Sequence, residues 1–444
     1  MVILMNMERV VVVGAGPTGL WLACELALAG VSTVVVERSV ERSPHSRALG
    51  IHARTLEVLG MRGLADELIA TGRTVPSWHY ALLDTRLDFQ HLDSPYPFLL
   101  GTPQRNVEEL FEKRALGLGV RVLRGNAVTG LTQDAGSVTV HLDDNKTITA
   151  EYVVGCDGAG STVRKAAGIE FPGTDSPAWA YLGEVTLDDP PPAIVFGTDG
   201  LLATIPLGGN RFRVTGMDPR FQEGPLTFDE LRAIAVRITG SDLGMRDPEW
   251  LTHFGGASRV ATPYRQERVL VAGDAAHMHF PVGGLGLNLG VQDAMNLGWK
   301  LAAVLRGEAA ESLLDTYQEE RHPVAWDVIE SIRAQTALII SFTPETIAMR
   351  KVMNRMLADH PTLNRQLAGQ LSGISLRYPG PGLVGTRAPD LGGTLFSQLH
   401  EGKPVVLRDV QEWPDVKAAV IRPDGYVWWA STDTTEVPTE FTRI

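Results

Sequence analysis

Val10-Val11-Val12-Val13-Gly14-Ala15-Gly16-Pro17-Thr18-Gly19-Leu20 decides the fold. The valine run reads as a buried strand, the glycines as a tight turn, and the residues up to Gly30 as a helix. A second β-run, Val34–Val36, then delivers Glu37. Gly14 allows the turn out of the strand, Gly16 lets the backbone approach a pyrophosphate, and Gly19 lets the helix pack close to the sheet. Pro17 and Thr18 lie between them, where a helix N-terminus offers free N–H groups and partial positive charge to phosphates. Glu37, ending the second strand, can accept both hydroxyls of an adenosine ribose and would repel a 2′-phosphate. A glycine-rich turn with no ligand is the plain alternative. The strand–turn–helix–strand–acid order argues against it.

A second glycine-rich segment lies far along the chain. The apolar Val269–Val271 leads into Gly273-Asp274-Ala275-Ala276-His277, and Pro281-Val282-Gly283-Gly284-Leu285-Gly286-Leu287-Asn288 follows. Asp274, expected at a strand end, can face polyol hydroxyls such as a ribityl chain. A helix starting over residues 287–290 would aim N–H groups at a flavin's pyrimidine carbonyl. The first segment alone indicates a dinucleotide; the two together indicate FAD.

The 444 residues suffice for two or three domains, and 44% hydrophobic with 21% charged residues is ordinary for a soluble globular protein. With 40 basic against 52 acidic residues the net charge is −12, and no basic run offers a footprint for nucleic acid. Cys24 and Cys156 cannot form a disulfide framework, which fits a reducing cytoplasm. No apolar stretch is long enough to span a membrane, and Met1–Met7 reads as a ragged start rather than a signal peptide.

Along the chain, Arg47 to Gly63 carries a helix pattern, and Pro103-Gln104-Arg105 opens another helix over Val107–Leu116. Val120–Leu123 reads as a strand, Ser137–Leu142 with Thr147–Ala150 as a hairpin, and Tyr152–Gly155 as a separate buried strand. From Gly173 to Pro263 the texture changes to short β-pieces, Ala193–Phe196, Leu201–Ile205 and Phe212–Met217, interrupted by one helix, Phe228–Ile238. Further helices are expected at Val291–Arg306, at Leu313–Tyr317, and over Val324–Ile340 as a crossing between domains. After the Tyr378–Gly382 linker, three strands (Val405–Leu407, Ala418–Ile421, Val427–Trp429) close the chain. The expected fold class is α/β: a Rossmann-like FAD-binding domain with an inserted antiparallel sheet.

Three fingerprints in this order resemble the class A flavoprotein monooxygenases of the para-hydroxybenzoate hydroxylase fold: Gly14-x-Gly16-x-x-Gly19, the Cys156-Asp157-Gly158 to Arg164 motif, and Gly273-Asp274 with the Pro281–Asn288 loop. Ser46 to Glu57, Pro103-Gln104-Arg105 and Gln292 to Leu301 are most similar to bacterial hydroxylases of aromatic polyketides and to rifampicin and tetracycline monooxygenases. The resemblance implies a GR2-type FAD domain at 1–75, 98–172 and 264–335, and a substrate-binding sheet domain at 76–97 and 173–263. It further implies connecting helices at 336–380 and a reduced thioredoxin-like domain at 381–444, without the usual central helices and without a CxxC.

The resemblance also assigns site residues. Glu37 takes the adenosine ribose, with Arg38 and Arg47 near adenine or pyrophosphate. Gln104 and Asp274 reach the ribityl chain, and Asp157 lies in a motif implied in FAD and NADPH contacts. Residues 281–288 flank the isoalloxazine on the substrate side. Phe196, Pro281, Val282 and Gly283 join the aromatic candidates Trp78 and His79 at the substrate, although core packing explains the aromatics equally well. The implied activity is hydroxylation of a phenolic substrate through a flavin hydroperoxide. FAD is non-covalent, NADPH a transient reductant and O₂ the oxidant, in a cytoplasmic monomer or homodimer with no nucleic-acid or membrane partner. Antibiotic inactivation, a Baeyer–Villiger reaction and a non-catalytic flavin scaffold are the alternatives. The chemistry rests on the flavin, so no catalytic side chain is assigned. His277 and His279 have metal-binding spacing but no further ligand cluster nearby, so no metal is expected.

Overall fold

Val10–Val12 are fully buried at the middle of a parallel sheet. In this computed structural model, which describes residues 8–220 and 224–441, the strand Glu8–Val13 pairs with Thr33–Glu37 on one side and Thr147–Gly155 on the other. Beyond these lie Arg121–Arg124 at one end and Val269–Val271 with Arg265–Gln266 at the other. Strands covered on both faces read as unbroken apolar runs, which is why they stand out in the sequence. The start at Met1–Met7 lies outside the described residues.

One expectation needs correcting here. Thr147–Ala150 and Tyr152–Gly155 are not two strands but one, Thr147–Gly155. Its first half pairs antiparallel with Val138–Leu142 and its second half parallel with Glu8–Val13. Glu151 sits where the strand passes from one partner to the next, so its polarity there marks no break.

Helix α1 (Pro17–Leu28) packs under the sheet with Gly19–Leu26 buried. The pattern from Arg47 does not start a helix. Gly50–Ile51 pairs with Leu99–Gly101, and α2 (Ala53–Gly60) begins only after His52. Asn288 Oδ1 accepts the His52 backbone N–H at 2.8 Å, holding that residue outside the helix. Helix α3 (Gln104–Gly117) matches its expected start.

A second sheet is antiparallel, in the order Ile194–Gly197, Gly200–Gly208, Arg211–Met217, Trp179–Thr186, Arg246–Gly255. The last two strands carry no clear β pattern: Gly183 and Glu184 interrupt one, and Asp247 and Pro248 the other. Helix α4 (Phe228–Thr239) is set by a Thr227–Glu230 capping box and lays Leu231, Ile234 and Ala235 on the sheet.

The longer helices that follow are α5 (Gly286–Leu305), α6 (Asp315–Ala337), α7 (Pro344–Asp359) and α8 (Pro361–Ser372). Two expected segments merge into α6, which continues through Pro323. The proline removes one backbone hydrogen bond, yet Tyr317, Arg321, Val324, Ala325 and Ile329 keep their buried side facing the core. Among the described residues no helix is long and apolar enough to cross a membrane. The tail forms a three-stranded sheet from Val405–Arg408, Ala418–Ile421 and Val427–Ser431.

Candidate cofactor and substrate site

The glycine motifs converge on Thr18. A Cβ on Gly273 would fall 2.6 Å from Thr18 Oγ1, and one on Gly290 2.3 Å from it. Gly14 adopts φ +106°, and a Cβ there would fall 2.4 Å from the Cys156 carbonyl. Turn, helix and third fingerprint are therefore locked together, with the Thr18 side chain as the contact that Gly273 and Gly290 make room for. Gly16 and Gly284 differ: a Cβ at either meets nothing within 4 Å. Helices α1 and α5 both begin beside these spaces with no side-chain cap and no acidic residue in the first turn. Their N-terminal N–H groups and partial positive charges face outward there. Pro17 opens α1 at a position where no N–H is needed.

The polar groups have defined partners. Glu37 Oε2 accepts the Ala15 N–H at 2.9 Å and Oε1 the Ser39 N–H at 2.8 Å, leaving one lone-pair direction on each oxygen. Asp274 is exposed, but not at a strand end: the strand stops at Val271 and Asp274 sits in a 3₁₀ turn, Gly273–Ala275. Gln104 accepts from the Ala48 N–H at 3.2 Å and donates to Glu108 at 2.7 Å. Burial pushes the Glu108 carboxyl up despite that hydrogen bond. Arg38 and Arg47 are exposed, and Arg213 donates to the carbonyls of Ser46 (2.5 Å) and Arg47 (3.4 Å) from the antiparallel sheet. Asp157 is occupied: it accepts the Ser161 hydroxyl and the Thr162 and Val163 N–H groups, capping the short helix Thr162–Ala166.

In the Pro281–Asn288 loop, Gly283 (φ +81°) and Gly284 (φ +73°) are left-handed, the region glycine favours. Gly286 is not; it is the first residue of α5, one position earlier than expected. A Cβ there would lie 3.8 Å from Asp274 Oδ1 and from His279 Cε1, in ordinary contact. Asn288 donates to the carbonyls of Gly50 (3.0 Å) and Gly284 (2.8 Å). Trp78 Nε1 donates to the Gly283 carbonyl at 3.1 Å, joining the aromatic segment to this loop, and its ring lies 4.8 Å from that of His79. Val282 is buried, Pro281 exposed, and Leu287 half-buried. Phe196 lies 5.3 Å from the Phe342 ring with the Arg350 guanidinium 3.9 Å over its face.

His277 Nε2 is hydrogen-bonded to Asp293 Oδ2 on α5 at 2.5 Å. Asp293 also accepts from Arg321 Nε at 2.8 Å and from the Gly273 N–H at 3.2 Å. Burial alone would raise its carboxyl, but His277 and Arg321 outweigh it and hold it below the usual range. Sequence reasoning missed Asp293, Arg213 and His52 as site-shaping residues. Asp293 and His52 lie inside motifs quoted above for the resemblance, but neither spacing shows which atoms they meet. Arg213 gave no signal.

Residues 7–332 match the family described as FAD binding domain. The chain is 43% identical to the uncharacterized aromatic compound monooxygenase YhjG of Bacillus subtilis, over 96% of this chain and 95% of that protein. It is 41% identical to the rifampicin monooxygenase of Streptomyces venezuelae, over 98% of each. Among solved structures, the OxyS anhydrotetracycline hydroxylase from Streptomyces rimosus superposes with a TM-score of 0.89 at 40% identity, covering 96% of both chains.

Proposed function

The chain belongs to this FAD-binding family and is a flavoprotein monooxygenase; from that premise we propose that it hydroxylates an aromatic polyketide-type or other phenolic ring. In this reading FAD is held without a covalent bond and NADPH is its transient reductant. When bound, FAD supplies the redox chemistry by which one atom of O₂ reaches an electron-rich ring. The carrying observation is the meeting of the uncapped α1 and α5 N-termini around open space at Gly16 and Gly284. A phosphate-bearing, flat ligand meets both needs.

The chain's own groups divide the work. Gly14, Gly16, Pro17, Thr18 and Gly19 bring the α1 N–H groups to the pyrophosphate. Glu37 offers its two free lone-pair directions to the ribose hydroxyls. Asp274 and Gln104 reach the ribityl chain, and exposed Arg38 and Arg47 serve adenine, pyrophosphate or nicotinamide. With its carboxylate occupied, Asp157 acts by shaping the turn. Gly273 and the loop through Gly284, Gly286, Leu287 and Asn288 flank the isoalloxazine. Trp78, His79, Phe196, Pro281, Val282 and Gly283 border the substrate. The antiparallel sheet roofs this space and excludes water, and the C-terminal sheet is a reduced thioredoxin-like domain.

The test is a panel of anthracycline-, angucycline- and ansamycin-type aromatics. FAD-loaded protein is scored for NADPH oxidation and oxygenated product. A substrate-stimulated NADPH oxidation with hydroxylated product is expected. A ring-expanded ester or lactone would replace the reading with a Baeyer–Villiger reaction. FAD binding with no NADPH oxidation across the panel would leave a non-redox flavoprotein.

A further inference from the structure

Two ring N–H donors meet on one backbone oxygen. The Gly283 carbonyl lies 2.9 Å from His52 Nε2 and 3.1 Å from Trp78 Nε1. A carbonyl only accepts, so His52 Nε2 carries a proton. Burial lowers the His52 pKa to about 4, so the ring is neutral and its one proton is on Nε2. Nδ1 is then a buried lone pair with no partner among the described residues. The tautomer that leaves Nδ1 unmet is the one the Gly283 bond requires.

Trp78 is anchored from outside the loop, and His52 through Asn288 at the loop's end, which also holds the Gly284 carbonyl. His52 is fixed through its backbone N–H by Asn288 at the start of α5. Trp78 belongs to the hairpin Ser77–His79 with Arg86–Asp88. The turn above it holds Ala81 at φ +50° and Leu82 at φ +51°, a left-handed pair without glycine that surrounding contacts must hold in place. Gln335 Oε1 accepts the Ala81 N–H at 3.0 Å, Arg350 donates to the carbonyls of Ala81 (2.8 Å) and Leu82 (2.7 Å), and His79 Nδ1 accepts the Leu82 N–H at 3.3 Å. Gln335 is on α6 and Arg350 on α7, so helices from outside the loop hold the turn that follows Trp78.

We propose that the Gly283 carbonyl is a latch, and that His52 and Trp78 are positioning residues that hold the left-handed pair Gly283–Gly284 in the shape that covers the flavin ring. This rests on the placement of FAD beside the loop, but the latch is a bond within the chain and can be measured without it. Trp78→Phe keeps a ring and removes the N–H. His52→Leu removes the second donor, and His52→Gln restores an amide N–H at similar reach.

Hydrogen exchange of peptides covering residues 279–290 reads the latch in flavin-free protein. Iodide quenching of flavin fluorescence reads ring cover in the FAD-loaded protein. Trp78→Phe and His52→Leu should speed exchange within 282–286 by about threefold to tenfold, the span of one neutral hydrogen bond, and raise iodide quenching. Exchange elsewhere should stay at the parental rate, and His52→Gln should recover most of both effects. Parental exchange and quenching in Trp78→Phe would overturn the latch, as would a Gln variant no better than Leu. Should His52→Leu not fold, Trp78→Phe, whose side chain is only half-buried, decides alone. If exchange shifts but the parental protein binds no FAD, the latch stands and the proposed function falls.

Discussion

Glu37 is a residue whose identity could be reasoned from position alone. It ends the strand after the first glycine turn, and its carboxylate stands within hydrogen-bond reach of Ala15 in that turn. Glu37→Ala should weaken FAD binding by about 1.5–3 kcal/mol, the worth of hydrogen bonds to a charged group, or one to two orders of magnitude. A fluorescence titration with FAD would show it, and parental affinity would mean other contacts hold the adenosine half. Gly286, in the same loop, has no left-handed backbone, and a Cβ there makes only ordinary contacts. Gly286→Val should therefore leave a folded, soluble protein. Its branched side chain would project toward Asp274 and His279 and crowd the flavin side of the loop. Hydrogen peroxide should then replace hydroxylated product while NADPH is still consumed; parental coupling would move the active site elsewhere. His52 was not legible, because a histidine inside a motif does not reveal the carbonyl it will meet. Its lowered pKa has a sign. The unfolded ring takes up its proton near pH 6.5, the folded one only near 4. The stability from keeping it neutral is complete above 6.5 and falls by up to about 1.4 kcal/mol per pH unit between 6.5 and 4. Urea denaturation at pH 7 and pH 5 should show a smaller acid loss for His52→Gln than for the parent. Equal losses would mean the ring is not held neutral.

At the scale of elements, α5 joins the flavin loop to the interior. Its first turn carries Asn288, which pins Gly50 and Gly284, and its second carries Asp293, which holds Gly273, His277 and Arg321. Asp293 is fully buried, so its charge is tolerated only because the partners surround it. Asp293→Asn removes that charge and leaves the Arg321 guanidinium buried without it. The expected cost is about 3–5 kcal/mol, visible as a lower urea midpoint and a weaker grip on FAD. A midpoint within error of the parent would show that the ion pairs are replaceable by neutral hydrogen bonds. Elements with one strong period were readable from sequence: the strands at Val10 and Val34, α1, α4 and the length of α5. Those failing were decided by tertiary partners. Trp179–Thr186 is a central strand despite its glycine and glutamate, because neighbours on both sides pair with it. The helix α6 passes Pro323 because its flanks pack the core. Local pattern could not carry either fact.

Across the whole molecule, the C-terminal sheet is tied in by buried charge rather than resting on the surface. Arg54 donates to the Asp424 carbonyl at 2.7 Å, and Arg62 to the carbonyls of Leu399 (2.7 Å) and Pro423 (3.1 Å). Arg422 bridges Glu320 on α6 and Asp424, with Lys300 of α5 on the same carboxylate. Arg422-Pro423-Asp424-Gly425 has the composition of an ordinary surface turn, yet Arg422, Asp424 and Gly425 are buried against α2 and the α5–α6 pair. A Cβ on Gly425 would lie 2.5 Å from Met61 Sδ, so the turn approaches α2 as closely as glycine permits. Without this segment, Arg54 and Arg62 lose backbone acceptors and Glu320 loses its bidentate cation, all in positions with little water to replace them. Unmet buried charges cost several kcal/mol each, against a total stability of about 5–15 kcal/mol for a typical domain. The tail is therefore packed into the rest of the chain through buried charge and is not a detachable module. A chain ending at Gly380 should yield no soluble, yellow protein, while Arg422→Met in the full chain should fold with a lower urea midpoint, since methionine fills the space but leaves Glu320 with Lys300 and the Asn296 amide and without its bidentate cation. Purification in the presence of FAD, followed by flavin absorbance, reads both. A truncated chain that purifies yellow with the parental midpoint would mean that the charges under the tail are met by water, and that the tail contributes nothing to the grip on FAD.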